Sequence, residues 1–136
     1  MRKILLIFLL LLMLVGCTSN NDVSGNIIEV NPTTIMSKMD DKEDFFLLVT
    51  LSTCPVCAEY QKVIDELVVN YAVDVYHIVI DKYEGEYDKL SDEYLNNLTD
   101  APDSFFIING EIVKEKVGFV QYRDLTALLK EFEFVK

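Results

Sequence analysis

The chain has 136 residues, of which 51% are hydrophobic, and its 23 acidic residues outweigh 12 basic ones to give a net charge of −11. This length suits one compact domain and is short for two. The acidic balance argues against nucleic acid as a partner and against a polybasic contact with anionic lipid.

The first residues have the pattern of an export signal. Two basic residues precede twelve consecutive apolar residues, 4–15, a run too short for a membrane span of about 20 residues but typical of a signal-peptide core. The run leads into the sequence LVGC at residues 14–17, which resembles a bacterial lipobox. The resemblance implies that residues 1–16 are a lipoprotein signal peptide and that Cys17 is lipidated. The alternative is an ordinary signal peptide or a short anchor with an incidental cysteine.

Lipidation would hold the protein on the extracytoplasmic face of a bacterial cell membrane, attached by the lipid alone. Residues 17–26 are mostly polar and predict a flexible tether to the domain, or else a disordered terminus without a role. Removal of the signal peptide would change the net charge from −11 to −13. It would also explain the odd cysteine count, because lipid on Cys17 leaves Cys54 and Cys57 as a pair.

From residue 27 onward, strand and helix patterns alternate. A short strand is predicted over 27–30 and a helix over 32–39, opened by a proline in a permitted position. The run FFLLVTL at residues 45–51 is typical of a strand buried on both faces. A helix is predicted from the cysteine pair to about residue 70. Its buried face recurs at helical spacing: Tyr60, Val63, Ile64, Leu67, Val68 and Tyr71.

The second half continues this alternation. A strand is predicted over 73–81, a loop and a helix over 82–100, and two strands over 104–108 and 111–118, joined by an Asn-Gly turn that favours a hairpin. The last helix is marked by Tyr122, Leu125, Leu128, Leu129 and Phe132. This order predicts an α/β domain over 27–136 with a central mixed sheet and helices on both faces.

The predicted order places Cys54 and Cys57 at the start of a helix, directly after a buried strand. A thiol attacks only as the thiolate, and a free cysteine has a pKa of about 8.5. The positive end of the helix dipole and its unpaired N–H groups favour a thiolate at the cap. We therefore predict that Cys54 is the exposed attacking thiol and that Cys57 is the shielded resolving thiol. Pro55 suits the first helical turn, where its missing N–H costs little.

A zinc site and a purely structural bridge are the alternatives for this pair. Zinc takes four ligands, and beyond the pair the mature chain offers only His77 and carboxylates. A bridge that closes so short a loop constrains the unfolded chain little. We therefore expect no metal, and no cofactor other than a redox-active Cys54–Cys57 disulfide.

The segment from residue 32 to the C-terminus resembles the thioredoxin fold. A buried strand directly precedes the cysteine pair, and the sequence APD at 101–103 matches the family's cis-proline motif. The NGE turn at 109–111 follows at the expected spacing, and KVG at 116–118 matches the end of the final strand, near the dithiol. The resemblance implies a thioredoxin-like fold whose C-terminal part is a β-hairpin followed by a helix.

The resemblance also implies roles for residues around the dithiol. In the family, the cis-proline packs beside the dithiol, and the backbone of the preceding residue pairs with a substrate peptide. This role falls to Ala101, with Thr53, Pro102 and Gly118 completing the predicted client-binding surface. The alternative for Pro102 is an ordinary trans proline at the start of a strand.

Three positions depart from the family pattern. Thr53 stands where thioredoxin has tryptophan, and Leu48 stands where the family has a buried acid that assists the resolving thiol. His77 aligns with a lysine that often lies behind the active site. Because imidazole titrates near neutrality, His77 is a candidate proton relay. The alternative is a histidine that points outward or is simply packed.

The short motifs together resemble bacteriocin-transport accessory proteins and related lipoproteins of Gram-positive bacteria, and the Cys-Pro-x-Cys spacing is similar to that of glutaredoxins and extracytoplasmic disulfide-bond proteins. We expect a monomeric, membrane-anchored thiol–disulfide oxidoreductase that acts on cysteines of exported proteins. A separate redox partner would recharge the dithiol, in a direction that the sequence leaves open. The alternatives are a non-catalytic accessory protein that binds clients in the cis-proline groove and a metal-binding lipoprotein.

Overall fold

A computed structural model describes residues 24–98 and 100–136 of the protein. The predicted signal peptide, Cys17 and most of the predicted tether lie outside these residues. The strands of the described part are β1 (Ile27–Glu29), β2 (Phe45–Thr50), β3 (Val75–Val79), β4 (Asp103–Ile108) and β5 (Glu111–Val117). The α-helices are α1 (Pro32–Asp40), α2 (Pro55–Tyr71), α3 (Glu86–Tyr94) and α4 (Tyr122–Glu131).

The strands form a single mixed sheet in the order β1-β3-β2-β4-β5. β3 is parallel to both of its neighbours, β1 and β2. β4 is antiparallel to β2 and to β5, with which it forms the predicted hairpin. The parallel pair β2 and β3 is joined through α2, as a crossover between parallel strands requires. The predicted mixed sheet is therefore confirmed.

Helices cover both faces of this sheet, which explains the unbroken apolar run of β2. Alternate β2 residues point to opposite faces. Phe46 and Leu48 pack in a cluster with residues of α2 and α4, whereas Leu47 and Val49 pack in a second cluster with residues of α1 and α3. All six β2 residues are buried. The predicted arrangement of helices on both faces is also confirmed.

Several predicted boundaries differ from the structure by a few residues. The strand predicted over 73–81 is shorter, because Ile80–Lys82 forms a 3-10 turn beyond Val79. At the N-terminus, contacts with the domain begin before residue 27: Gly25 N donates to Val68 O at 2.9 Å, and Asn26 O accepts from Val75 N at 2.8 Å. Across residues 24–98 and 100–136, every helix is too short or too polar to cross a bilayer.

Candidate active site

The cysteine pair lies at the N-terminus of α2. Cys54 is the N-cap residue with extended backbone angles, and Pro55 occupies the first turn. Cys54 Sγ accepts a hydrogen bond from Cys57 N at 3.1 Å, and Cys54 O accepts one from Ala58 N at 3.1 Å. A sulfur thus takes the place of the usual N-cap oxygen, so the free N–H groups of the helix point at it.

Cys54 and Cys57 form a disulfide, with their Cα atoms 5.1 Å apart. Cys54 is half-buried, whereas only 5% of the Cys57 surface is exposed. Of the two sulfurs, that of Cys54 is therefore the one that an incoming thiol reaches more easily. This asymmetry supports the predicted roles of Cys54 as attacking thiol and Cys57 as resolving thiol, which stay predictions.

The loop before Cys54 is tied to the end of the neighbouring strand. Ser52 N donates to Asp81 Oδ1 at 2.9 Å, and the Ser52 hydroxyl donates to the other carboxylate oxygen of Asp81. These two bonds hold the pKa of Asp81 below its usual range, so the carboxylate remains ionised. Thr53, which follows Ser52, is exposed next to the disulfide.

The Ala101–Pro102 segment lies opposite the disulfide. Its peptide bond is cis, as predicted, and Cys54 Sγ lies 3.8 Å from Ala101 O. Gly118 N donates to Pro102 O at 2.7 Å. Gly118 has a φ of 83°, which favours glycine at this position. The structure thus brings Cys54, Ala101, Pro102 and Gly118 to one place, as the sequence predicted, although their roles toward a client stay predictions.

Four large apolar side chains on the segments around the disulfide are exposed. Leu51 precedes the active-site loop and is 40% exposed, and Val56 lies between the cysteines and is 49% exposed. Val117 and Phe119 flank Gly118 and are 57% and 46% exposed. We call these four residues the apolar rim. Exposed apolar side chains on the segments beside a reactive disulfide provide surface for contact with a partner.

His77 lines a small pocket of about 220 Å³ that also includes both cysteines, Thr50 and Gln61. Thr50 Oγ1 and His77 Nε2 are hydrogen-bonded at 2.7 Å. Burial lowers the pKa of His77, although Glu29 opposes that effect. The imidazole is therefore neutral at pH 7 and able to accept a proton inside the pocket. His77 is not turned away from the site, but its role as a relay stays a prediction.

Comparison with known proteins shows the same architecture in solved structures. No family model and no curated protein matches the chain. Oxidised thioredoxin O1 from Arabidopsis thaliana is 26% identical, with a TM-score of 0.62 over 79% of this chain and 97% of the other. Oxidised thioredoxin from Plasmodium falciparum is 18% identical, with a TM-score of 0.61 over 79% of this chain and 98% of the other.

The chain has the thioredoxin fold. A mutant thioredoxin from Halobacterium salinarum matches over 84% of this chain and 95% of the other, at 16% identity and a TM-score of 0.61. This fold and the Cys54–Cys57 disulfide at the start of α2 make the protein a thioredoxin-like thiol–disulfide oxidoreductase. The predicted superfamily and reaction type are confirmed.

The position at which the thioredoxin family has a buried acid is apolar in this protein. Leu48 is completely buried and provides no carboxylate to the resolving thiol. Within residues 24–98 and 100–136, no three or more His, Cys, Asp or Glu side chains come together as a metal site. The pocket beside the disulfide is lined instead by the polar side chains of Thr50, Ser52, Gln61 and His77.

Asp103 is a residue of the site that the sequence analysis missed. It directly follows Pro102 and is only 1% exposed, and its Oδ1 accepts from Ser104 N at 2.7 Å. Burial, together with the nearby carboxyl of Glu115, raises the pKa of Asp103 to about 7. The sequence does contain an indication of this, because Asp103 begins an otherwise apolar strand, Asp103–Ile108, and aspartate is rarely buried without a partner.

Proposed function

We propose that the protein exchanges disulfides with the cysteines of exported proteins while a lipid on Cys17 holds it at the outer face of a bacterial cell membrane. The observation that carries the exchange reaction is the half-exposed sulfur of Cys54, capped by a helix N-terminus and 3.8 Å from Ala101 O. The apolar rim supports clients that are unfolded chains, since these expose apolar side chains. The sequence LVGC at residues 14–17 supports the location.

The exchange reaction needs only the two cysteines and the client. In the oxidising direction, a client thiolate attacks Cys54 Sγ, the Cys54–Cys57 bond breaks, and Cys57 leaves as a thiolate. A second client thiolate then attacks the client sulfur of the mixed disulfide and expels Cys54 as a thiolate. The client loses two electrons and the protein gains them. In the reducing direction, Cys54 attacks a client disulfide, and Cys57 then resolves the mixed disulfide.

The leaving Cys54 thiolate is stabilised where it forms. The Cys57 N–H donates to its sulfur, and the α2 dipole places positive charge at the same point. When the client is reduced, His77 would accept the proton of the Cys57 thiol. When the client is oxidised, His77 would return a proton to the Cys57 thiolate. Both residues line the same pocket. A separate redox partner must restore the starting state of the dithiol after each turnover.

A trapping experiment in an exporting bacterium tests this proposal. In Cys57→Ser, the resolving thiol is absent, so we expect mixed disulfides between Cys54 and client proteins to accumulate and to disappear on reduction. The matched control is Cys54→Ser, which keeps a cysteine in the pair but should trap far less, because the Cys57 sulfur is buried.

Equal trapping by both variants would contradict the assigned roles. A second outcome would contradict the exchange reaction itself. In that outcome neither variant traps a partner, and cells with the double variant Cys54→Ser/Cys57→Ser grow and export proteins like cells with the wild-type protein. That result would favour the non-catalytic accessory protein, which binds clients in the cis-proline groove.

A further inference from the structure

Two neighbouring carboxyls, of which one is fully buried, lie on the two strands that form the wall opposite the disulfide. Asp103, at the start of β4, is a diagonal neighbour of Glu115 of β5 in the register of the hairpin. Asp103 is 1% exposed, and Glu115 is half-buried. Ionised carboxylates only accept hydrogen bonds, so two of them can bond to each other only when one carries a proton.

The register of the hairpin places this pair beside the client-binding segment. Asp103 lies opposite Val117, and Glu115 lies opposite Phe105, so the two carboxyls are on the same face of the sheet. The next backbone contact along the hairpin is the one from Gly118 N to Pro102 O, at 2.7 Å. The carboxyl pair and the hydrogen bond that holds Pro102 are therefore neighbours.

Among the residues that the structure describes, the other groups that act on Asp103 provide no positive charge. From the loop before β4, the carboxylate of Asp100 makes ionisation of Asp103 still less favourable. From α3, the hydroxyl of Tyr87 is buried, and among the described residues it has no hydrogen-bond partner. From α2, Tyr60 hydrogen-bonds to Ser104 Oγ at 2.9 Å. The residue opposite Asp103 on β2 is Val49, which carries no charge.

We propose that Asp103 keeps its proton beside Glu115 and that this proton controls the position of the Ala101–Pro102 segment toward clients. With the proton in place, the pair ties β4 to β5 next to Gly118. Without it, the buried carboxylate of Asp103 and the half-buried carboxylate of Glu115 repel each other, and the segment loses its fixed position. Asp103 is thus a positioning residue for the client and does not itself react with sulfur. This inference rests on the proposed exchange with protein clients.

The proton is expected to leave in the neutral range. Burial contributes most to raising the pKa of Asp103 to about 7, and the carboxyls of Glu115 and Asp100 raise it further. Docking of a client peptide should therefore weaken as the pH rises through 7. A small thiol reagent does not need the segment, so its reaction with the disulfide should lack this effect.

A ratio of two rates separates this effect from ordinary thiolate chemistry. The oxidised protein reacts with a reduced ten-residue peptide that contains two cysteines and, separately, with dithiothreitol. Both rates rise with pH as the attacking thiol ionises. Each rate is divided by the thiolate fraction of its reagent. The ratio of the peptide rate to the dithiothreitol rate should then fall by about fivefold between roughly pH 5.5 and pH 8.5. A factor of about five is the lower end of a typical coupling between two sites.

Two variants test the assignment. Asp103→Asn keeps the shape of the side chain and can donate to Glu115 at every pH, so its ratio should stay high and constant. Glu111→Gln is the matched control: it removes an exposed carboxylate from the same strand, β5, at the far end of the hairpin. It should keep the wild-type pH dependence. A constant ratio in the wild-type protein, or the same fall in Asp103→Asn, would overturn the inference.

A second measurement is independent of any client. The amide NMR signal of Gly118 should shift with pH in step with the carboxyl signal of Asp103, and this shift should be absent in Asp103→Asn. If the peptide does not react at all, the proposed function fails. The Gly118 signal then still shows whether the titration of Asp103 affects the backbone at Gly118. If the peptide reacts but Gly118 does not respond to the titration of Asp103, the inference alone fails.

Discussion

Cys54 Sγ and Ala101 O lie 3.8 Å apart, although 47 positions separate the two residues in the sequence. Ala101 belongs to the segment that Gly118 holds through Pro102 O, and Cys54 caps α2. A peptide chain docked along this segment would present its own sulfur to the half-exposed Cys54. We therefore expect exchange with a protein client to depend on the backbone around Gly118 as well as on the cysteines.

Gly118→Ala tests this dependence on the backbone. Gly118 has a φ of 83° and open space where a Cβ would lie, so the substitution adds conformational strain without a clash. We expect it to cost about 1 kcal/mol of stability and to slow exchange with a peptide client, because the bond to Pro102 O is weakened. Denaturant unfolding and peptide exchange rates measure the two effects.

Gly85→Ala is the matched control for that variant. Gly85 has a φ of 86°, also with open space around a Cβ; it caps α3 and takes no part in the hydrogen bond between Gly118 and Pro102. It should lose similar stability and keep the wild-type exchange rate. If both variants slow exchange equally, the effect belongs to general stability and not to the client-binding segment.

His77 is expected to titrate below the usual pH of a histidine. Burial lowers its pKa, so the unfolded chain takes up the proton first as the pH falls. The stability that depends on neutral His77 is thus fully present above about pH 6.5 and is lost as the pH falls through the lowered pKa. His77 is the single histidine of the chain, so its imidazole NMR signal gives the pKa directly. A pKa of 6.5 or above would contradict the expectation.

A substitution separates this stability effect from the relay. His77→Gln should remove the acid-dependent loss of stability. It should also slow the step in which Cys57 gains or loses a proton, while the initial attack on Cys54 stays unchanged. Unchanged rates for both steps would show that His77 is a packed residue hydrogen-bonded to Thr50 and nothing more.

The sequence predicted the helices and strands well wherever the pattern of neighbouring residues was enough to define them. The run at Phe45–Thr50 is buried on both faces, as its unbroken apolar character indicated. The strand predicted over 73–81 was too long at its end, because apolar Ile80 continues the pattern while Asp81 turns to bond the loop at Ser52. That bond joins residues 29 positions apart, and a local pattern does not contain it.

The difference between local patterns and long-range contacts also explains which site residues the sequence predicted. Cys54, Cys57 and Pro102 belong to short motifs that are visible in the sequence. Asp103 acquires its properties from Glu115, which the hairpin register brings to it from twelve positions away, and from the helices that exclude water. A buried carboxyl with a raised pKa is a property of packing, so it appears only when the strands are assembled.

Asp103 should make the protein less stable as the pH rises. Its folded pKa is about 7, against an ordinary value of 3.8, so the folded state holds a proton that the unfolded chain has already lost between these values. Stability from this group is therefore present at acidic pH and is lost as the pH rises from about 4 to 7. At pH 8, the free energy of unfolding of Asp103→Asn should exceed that of the wild-type protein by about 1–3 kcal/mol. At pH 4, the two should differ little.

Thermal or denaturant unfolding at several pH values measures this difference, with Glu111→Gln as the control for removal of a carboxylate. The other carboxylates of the domain are common to both proteins, so subtraction leaves the contribution of Asp103. A gain that is the same at pH 4 and pH 8 would mean that Asp103 does not hold a proton in the folded state.

Cys17→Ser tests the predicted lipid anchor. In a bacterium that processes lipoproteins, the wild-type protein should incorporate a labelled fatty acid and sediment with membranes, whereas the variant should incorporate none. Cys54→Ser is the matched control, because it removes a cysteine of the domain and should keep the label. A wild-type protein without label would contradict lipidation at Cys17.

The two buried tyrosines offer a final comparison, on stability. Tyr60 is completely buried, and its hydroxyl is bonded to Ser104 Oγ at 2.9 Å. The Tyr87 hydroxyl is also buried, but within the described part of the chain it has no partner. Tyr60→Phe leaves Ser104 unsatisfied and should cost about 1–2 kcal/mol, whereas Tyr87→Phe removes an unpaired polar group and should be neutral or stabilising.

Unfolding of the two phenylalanine variants by denaturant gives the two free energies under the same conditions. Each substitution removes one oxygen atom from a buried ring, so a difference between them reports the hydrogen bond and not the loss of volume. A cost for Tyr87→Phe as large as that for Tyr60→Phe would show that the Tyr87 hydroxyl is hydrogen-bonded in solution. Asp103 would then be the partner to examine first, because its charge already acts on Tyr87.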